Sequence, residues 1–289
     1  MVDYSTLVIL GIMGFAAGTF GAMLGLGGGI LIVPLLTGVF GVPIHEAIGT
    51  SLVGVVATSN AGAGVYLKAR LVNIRLGLIL EPLLALGGIA GGLTAAVLSG
   101  QVLSALFALA LIYTAYNMIS KGRGEDELKA PLVDEHVQVG ERASRRYSLS
   151  GELFDKAIGR TVTYRVHDLP LGLVVSFIAG NLAGLLGIGG GIVKVPVMHL
   201  LMGVPLKASV ATSNFAMGIT ASSAAFVYVS RGLVDPFLAG PVVIGVVVGA
   251  QTGSRIAERA RSTWLSRVFV LVLLFMAGQM ALKALGWRL

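Results

Sequence analysis

The sequence predicts an all-α polytopic membrane protein: two homologous, inverted repeats of about five membrane segments each, with short Gly/Pro-broken helices in both halves. Three observations carry this. The chain has 289 residues, 55% hydrophobic and only 12% charged, about half the charged share of a soluble globular protein. With His neutral, residues 4–45, 47–67, 208–230 and 236–254 hold no formal charge, and a membrane-crossing helix needs roughly 20 apolar residues. The run LGLGGGILIVPLLTGVFGVP at 24–43 returns as LGIGGGIVKVPVMHLLMGVP at 186–205, an offset of 162 without a gap.

The repeat sets the organisation. It continues from Thr50-Ser51 onto Thr212-Ser213, from Val65-Tyr66 onto Val227-Tyr228, and from Leu71-Val72 onto Leu233-Val234. The expected units are a first transmembrane repeat at 1–119, a cytoplasmic linker or small lobe at 120–168, and a second transmembrane repeat at 169–289. Residues 4–45 would extend roughly 60 Å as helix, enough for two passes. The first pass ends at the glycines 25–29. The second, about 30–40, contains Pro34 and is too short to cross unaided. Residues 47–67 make a third pass, and 76–120 make two more, interrupted by Glu81 and the turn signal Ser99-Gly100-Gln101. The second half repeats this and ends in a helix near 264–287, with Trp264 and Trp287 expected at opposite interfaces.

Charge gives the orientation. The net charge is +7, but residues 121–168 hold nine Lys/Arg and nine Asp/Glu, leaving twelve bases against five acids elsewhere. Bases in short loops beside apolar runs are topology signals and contacts for anionic lipid, so membrane lipid, not nucleic acid, is the expected partner. Lys68, Arg70 and Arg75 mark one loop as cytoplasmic, and Lys121, Arg123, Arg145 and Arg146 mark the linker likewise. Arg255, Arg259, Arg261 and Arg267 fall where the first half, at 93–105, has no base. Equivalent loops then lie on opposite sides, which five passes per half satisfy and four do not. Lys283 and Arg288 sit on the less favoured side. In the linker, residues 161–166 alternate weakly, and a hairpin or a disordered tether are both compatible with them. The chain has no Cys, which excludes disulfides, Cys-ligated zinc and iron–sulfur clusters. No removable signal peptide is expected, because the start lacks a basic region and a cleavage site.

The two glycine clusters are the foremost site candidates. Gly27, Gly28 and Gly29, and Gly189, Gly190 and Gly191, interrupt helices at matching positions, each with a Pro five residues on. Backbone at membrane depth must be satisfied or line a wet cavity, and matching breaks in inverted repeats mark a transporter's midplane site. Amides at a helix start, the macrodipole and the lack of a Cβ suit an anion. The alternative is close helix packing, the expected role of Gly14/Gly18, Gly21/Gly25 and Gly245/Gly249/Gly253. Neither cluster is a dinucleotide fingerprint, because Ile30 and Ile192 fill its final glycine position.

Lys194 is the sharpest single residue, since it replaces Ile32 in an otherwise apolar repeat. An intramembrane Lys is costly and faces a pathway or a partner; a bound anion is the expected counter-charge, and snorkelling to the interface the alternative. His199 is a candidate proton relay, with a hydrogen bond to a nearby carbonyl the simpler role. Glu81 is a second relay candidate, with an interfacial carboxylate as its alternative. Thr50-Ser51 and Thr212-Ser213-Asn214 are expected to begin the next helix of each half, bonding an oxyanion or capping the helix. Asn60, Asn181 and Gln251 are polar groups in apolar spans, either interhelical bonds or ligand contacts.

The doubled block, here GLGGGILIVP and GIGGGIVKVP, with a following helix carrying T-S near its start, resembles the sulfite exporter TauE/SafE family, also called the toluene-sulfonate uptake permease family. The likeness covers about 14–110 and 172–285. It implies a plasma-membrane carrier of small sulfur-containing or organic anions such as sulfite, sulfonates or thiosulfate. Only Gly27–Gly29, Pro34, Gly189–Gly191 and Pro196 are carried over, as parts of the shared motif. The linker is longer than such halves suggest. From the residues alone comes a carrier with a midplane anion site; sulfur enters through the resemblance. No nucleotide-binding motif is present, so a secondary-active, multi-pass transporter with a small anionic substrate and no cofactor is expected, a homo-oligomer being left open. The alternatives are an anion channel of the same architecture and, less favoured, an intramembrane enzyme, for which the adjacent pair His45-Glu46 lacks H-E-x-x-H spacing.

Overall fold

The computed structural model describes residues 4–122, 149, 151–155, 160–259 and 263–285. Helices account for nearly all of them. In the first half these are α1 (Tyr4–Leu24), α2 (Gly29–Val39), α3 (Ile44–Lys68), α4 (Ile74–Ala95) and α5 (Gly100–Gly122). In the second they are α6 (Leu169–Leu186), α7 (Gly191–Pro196, continuing as a π-helical turn Val197–Leu201), α8 (Leu206–Ser230), α9 (Pro236–Arg259) and α10 (Thr263–Ala284). Shifted by 162, α3 coincides with α8 end to end, and α2 with α7 plus its π turn. Equivalent sequence therefore folds into equivalent elements.

Six described helices are long and apolar enough to cross a membrane: Tyr4–Leu24, Ile44–Lys68, Ile74–Ala95, Leu169–Leu186, Leu206–Ser230 and Pro236–Ala257. Gly29–Val39, Gly100–Tyr116, Gly191–Leu201 and Leu273–Ala284 are shorter apolar helices. The broken second segment of each half is thus short, as its Pro and Gly dictate. Large apolar side chains such as Ile12, Leu109, Phe226 and Ile244 stand outward, where hydrocarbon would cover them.

Small residues set the helix packing. Helix α1 runs parallel to α9, and an added Cβ on Gly245, Gly249 or Gly253 would strike the carbonyl of Gly11, Phe15 or Thr19 in turn. From the other side, Gly14 and Gly18 face the backbone of Val242 and Val246. The equivalent pair, α4 with α6, repeats the pattern: Gly87 and Gly91 meet the carbonyls of Phe177 and Asn181, and Gly180 meets that of Leu84. Without a Cβ the backbones approach closely, which in lipid is the main source of helix association. Between these pairs α3 and α8 cross, and α5 packs on α10.

The expectation of an all-α chain needs one correction. Strands β1 (Gly151–Asp155) and β2 (Arg160–Tyr164) form an antiparallel hairpin with Leu153 opposite Val162 and Gly151 opposite Tyr164. Alternation is the cause: Tyr164 and Val166 are buried while Thr161, Thr163 and Arg165 are exposed, the two-residue period of a half-covered strand. The hairpin side is tied to the α3–α4 turn, for the Asn73 amide donates to the Leu149 carbonyl (3.3 Å) and to the Tyr164 hydroxyl (3.2 Å). Burial pushes the Tyr164 phenol above its ordinary pKa, against the opposing effect of the Asn73 bond. The linker and the basic 68–75 turn therefore share one end of the molecule. Residues 123–148 of the linker, Trp287, and the side chains of Trp264, Arg259, Arg261 and Arg267 lie outside the described residues.

Close packing at the glycines predicts a sharp contrast. Gly91→Val places methyl groups against the Asn181 carbonyl and should cost about 1–3 kcal/mol, the usual range for overpacking. Gly240→Ala, at a position with nothing within 4 Å, should be neutral or stabilising. Thermal unfolding in detergent separates them.

Candidate substrate site at the broken helices

Each break begins where a helix runs out and the chain doubles back. Gly28 and Gly190 precede α2 and α7 with φ of 74° in both cases, a left-handed conformation that glycine adopts without steric cost. Such an interruption strands carbonyls at one helix end and amides at the next. The carbonyls are met by side chains. The Tyr66 hydroxyl (2.8 Å) and the Asn214 amide (2.9 Å) both donate to the Ala22 carbonyl, and the Tyr228 hydroxyl donates to that of Gly184 (2.9 Å).

The serines work crosswise. Ser51 donates to the Gly187 carbonyl at 2.7 Å, and Ser213 donates to that of Gly25 at 3.1 Å. Each half thereby ties down the break of the other. The amides are treated differently. Among the described residues, those of Gly29, Ile30, Gly191 and Ile192 have no hydrogen-bond partner. The breaks also touch: Gly29 abuts the Gly187 carbonyl and Gly191 that of Gly25, while Val55 and Met217 cover both Gly27 and Gly189. All six glycines are buried. What results is a closed locus in which the carbonyls of Ala22, Gly25, Gly184 and Gly187 take side-chain donors while these four amides take no acceptor among the described residues.

The hydroxylated pairs lie on this locus but not at helix starts. Helices α3 and α8 begin at Ile44 and Leu206, with Pro43 and Pro205 before them, so Thr50, Ser51, Thr212, Ser213 and Asn214 sit one to two turns inside. The capping alternative is therefore wrong; proline fixes the earlier start because its ring favours a helix entrance. Thr212 Oγ1 accepts from the backbone N–H of Asn73 at 2.9 Å. Thr50 Oγ1 and Asn214 Oδ1 are buried without a partner. His199 Nδ1 is hydrogen-bonded to the Val204 carbonyl at 2.9 Å, the simpler of its two expected roles. Asn60 and Gln251 are exposed and Asn181 half-buried.

Lys194 and Glu81 meet each other. Nζ of Lys194 donates to Glu81 Oε2 at 3.3 Å, with side chains only 2% and 4% exposed. Glu81 Oε1 accepts the Thr220 amide at 2.8 Å and the Thr220 hydroxyl. Neither an interfacial Glu81 nor a snorkelling Lys194 survives this: α6 and α8 cover the Glu81 face of α4, so the carboxylate has no route to the interface. The pair has no repeat-related counterpart, because Ile32 of the first half and Val243 of the second occupy the positions equivalent to Lys194 and Glu81. Thr220 escaped sequence analysis, although one signal was there: Thr58 stands 162 residues earlier and, lacking a carboxylate, turns its hydroxyl to the Gly54 carbonyl (2.9 Å).

The glycine breaks and their tyrosine and serine ties belong to a recognisable lineage. The family model for sulfite exporter TauE/SafE proteins matches residues 10–280. The chain belongs to that family. Similar proteins include "Probable membrane transporter protein YunE" of Bacillus subtilis, 28% identical over 282 residues that cover 95% of this chain and 97% of the relative. "Probable membrane transporter protein YdhB" of the same organism is 24% identical, covering 86% and 88%. "Sulfite exporter TauE/SafE family protein 5" of Arabidopsis thaliana is 23% identical, covering 79% and 71%. No solved structure matches the chain. TauE/SafE proteins are membrane transporters rather than enzymes, and the six long apolar helices of this member make it a multi-pass membrane protein.

The ion pair can be tested through stability. Lys194→Met leaves a buried carboxylate without its cation and should cost about 3–5 kcal/mol, as breaking buried pairs does. Adding Glu81→Gln to it should recover part of that loss, because an uncharged pair has no desolvated charge to carry. Denaturant unfolding of the two single variants and the double variant measures the coupling directly.

Proposed function

We propose that this TauE/SafE protein is a secondary-active carrier of small organic or sulfur-containing anions, of the sulfite, sulfonate and thiosulfate class, working by alternating access around the two glycine breaks. The observation that carries this is the asymmetry of hydrogen bonding there. Side chains from α3 and α8 donate to the carbonyls of Ala22, Gly25, Gly184 and Gly187, whereas among the described residues the amides of Gly29, Ile30, Gly191 and Ile192 have no partner. Unspent donors with the positive ends of two helix dipoles favour an oxyanion over a cation. The names of the relatives support sulfur oxyanions as the substrate class.

The arrangement of helices supports inverted repeats, 1–119 and 169–289, joined by a cytoplasmic linker at 120–168. Helix α9 runs with α1, and α4 with α6. A short turn reverses α3 into α4, and another reverses α8 into α9. Ser59 of α3 reaches Asn214 and Gly218, Gly62 lies near Asn214, and Val55 shares its contacts with Met217. These contacts fit an antiparallel crossing, which gives the equivalent helices α1 and α6 opposite senses. On this architecture the crosswise serine bonds are contacts that exchange as the halves rock, and flexible Met217 withdraws from the glycines to admit substrate. The substrate-binding set comprises Gly27–Gly29, Gly189–Gly191, Thr50, Ser51, Thr212, Ser213, Asn214 and Lys194, in a protein of the plasma membrane.

Reconstituted protein should accumulate radiolabelled sulfite or a sulfonate. Lys194→Ala removes a charged hydrogen bond worth about 1.5–3 kcal/mol, so it should weaken apparent affinity about tenfold or more. Unaltered transport by that variant excludes Lys194 from the site. Electrical currents that persist without counter-substrate would assign a channel instead of a carrier.

A further inference from the structure

The buried Lys194–Glu81–Thr220 cluster has an imbalance of donors and acceptors. An ammonium carries three donor protons, yet Glu81 Oε2 is the single acceptor that Lys194 meets among the described residues. Glu81 is in the opposite position. Its Oε1 holds two donors from Thr220, and its Oε2 depends on Lys194 alone. The carboxylate is thus anchored at one oxygen, exchangeable at the other, and beside a cation short of acceptors. A desolvated ion pair of this kind contributes little net stability relative to apolar residues. The repeat-related positions are apolar, Ile32 in the first half and Val243 in the second, so the scaffold does not require the charges.

We infer that Glu81 is a resident stand-in for the transported anion, and that binding of a monoanionic oxyanion to Lys194 is coupled to uptake of one proton by Glu81. The inference rests on the anion-transport function proposed above. Charge decides the stoichiometry. The empty cluster is neutral, with one cation and one carboxylate. An arriving monoanion would bury a net negative charge at high cost. A proton from water onto Oε2, as Lys194 shifts its N–H from Oε2 to a substrate oxygen, restores neutrality: one N–H···O bond to the carboxylate is lost, one to the substrate forms, and one O–H bond forms. Oε1 keeps both Thr220 donors, which holds the neutral carboxyl in place. Anion and proton then cross together, and releasing either lets Glu81 ionise and retake Lys194.

Other ionisable groups on the surrounding elements do not intervene. Arg75 lies two turns before Glu81 on α4, and α6 has no ionisable residue. On the π turn after α7, His199 is bonded to the Val204 carbonyl. On α8, Lys207 is in the first turn and the Tyr228 hydroxyl donates to the Gly184 carbonyl. None of these is hydrogen-bonded or ion-paired to Glu81 or Lys194. A proton taken up on anion binding is therefore assigned to Glu81.

Two measurements test the coupling. In lightly buffered detergent solution with a pH indicator, a small sulfonate, which stays a monoanion throughout this range, is titrated into the wild-type protein above pH 8, with a protein-free titration as control. Binding should take up about one proton per anion bound; binding without proton uptake overturns the inference and leaves anion transport intact. In proteoliposomes, wild-type uptake of the labelled sulfonate should be driven by a pH gradient acid on the substrate side. Glu81→Gln, which keeps an acceptor for Thr220 but cannot titrate, should lose that drive, and its anion exchange should no longer depend on pH. Drive that persists in this variant overturns the inference. If the variant does not fold, the indicator titration of wild type decides alone. Wild-type protein that neither binds nor moves the sulfonate, sulfite or thiosulfate overturns the transport function and this inference together.

Discussion

Hydrocarbon offers no hydrogen bonds, so a helix that stops inside a membrane has to find partners for its own backbone. That constraint organises this structure. Stopping α1 at Leu24 and α6 at Leu186 strands carbonyls, and Tyr66, Tyr228, Ser51, Ser213 and Asn214 are where they are because they meet them. All five stand on α3 and α8, which explains why those two helices cross at the centre and why polar residues punctuate two otherwise apolar spans. The glycines follow from the same constraint, since a chain that doubles back against another doubled-back chain leaves no room for Cβ atoms.

These bonds bear on the polarity of the locus. Unpartnered amides remain at the starts of α2 and α7, joined in the second half by an ammonium. The two halves differ here in a way that bears on function. The first half contributes backbone and hydroxyls; the second adds Lys194 and, through Thr220, the anchor for a carboxylate that itself comes from α4 of the first half. A duplicated scaffold has thus acquired one charged cluster, shared across its interface, and any movement of one half against the other acts on it.

The hairpin joins this network at its periphery. Tyr164 and Leu149 hold the Asn73 side chain, and the Asn73 backbone N–H donates to Thr212, next to Ser213, which ties the break at Gly25. A continuous chain of hydrogen bonds and covalent links therefore runs from the linker to the broken helix. Thr50, the counterpart of Thr212, has no such partner, so the two halves are also unequal in how their ends are tied.

Much of this was legible in the residues themselves. Charge-free runs fix a membrane chain because length and apolarity alone decide partition into lipid, and the 162-residue repeat announces two equivalent sets of helices through local identity. The glycine breaks, the short α2 and the closely packed glycine stripes follow from backbone rules that hold residue by residue. Other features are settled only by tertiary contact. That Lys194 faces Glu81, residues apart by more than a hundred positions, depends on α6 and α8 each packing against both α4 and α7, and a lone Lys in an apolar run reads the same whether its partner is a carboxylate, a ligand or water. The crosswise serine bonds, and the helix starts at Pro43 and Pro205 that move Thr50 and Thr212 inward, are likewise invisible to a local pattern, because each depends on where the other half of the chain comes to rest.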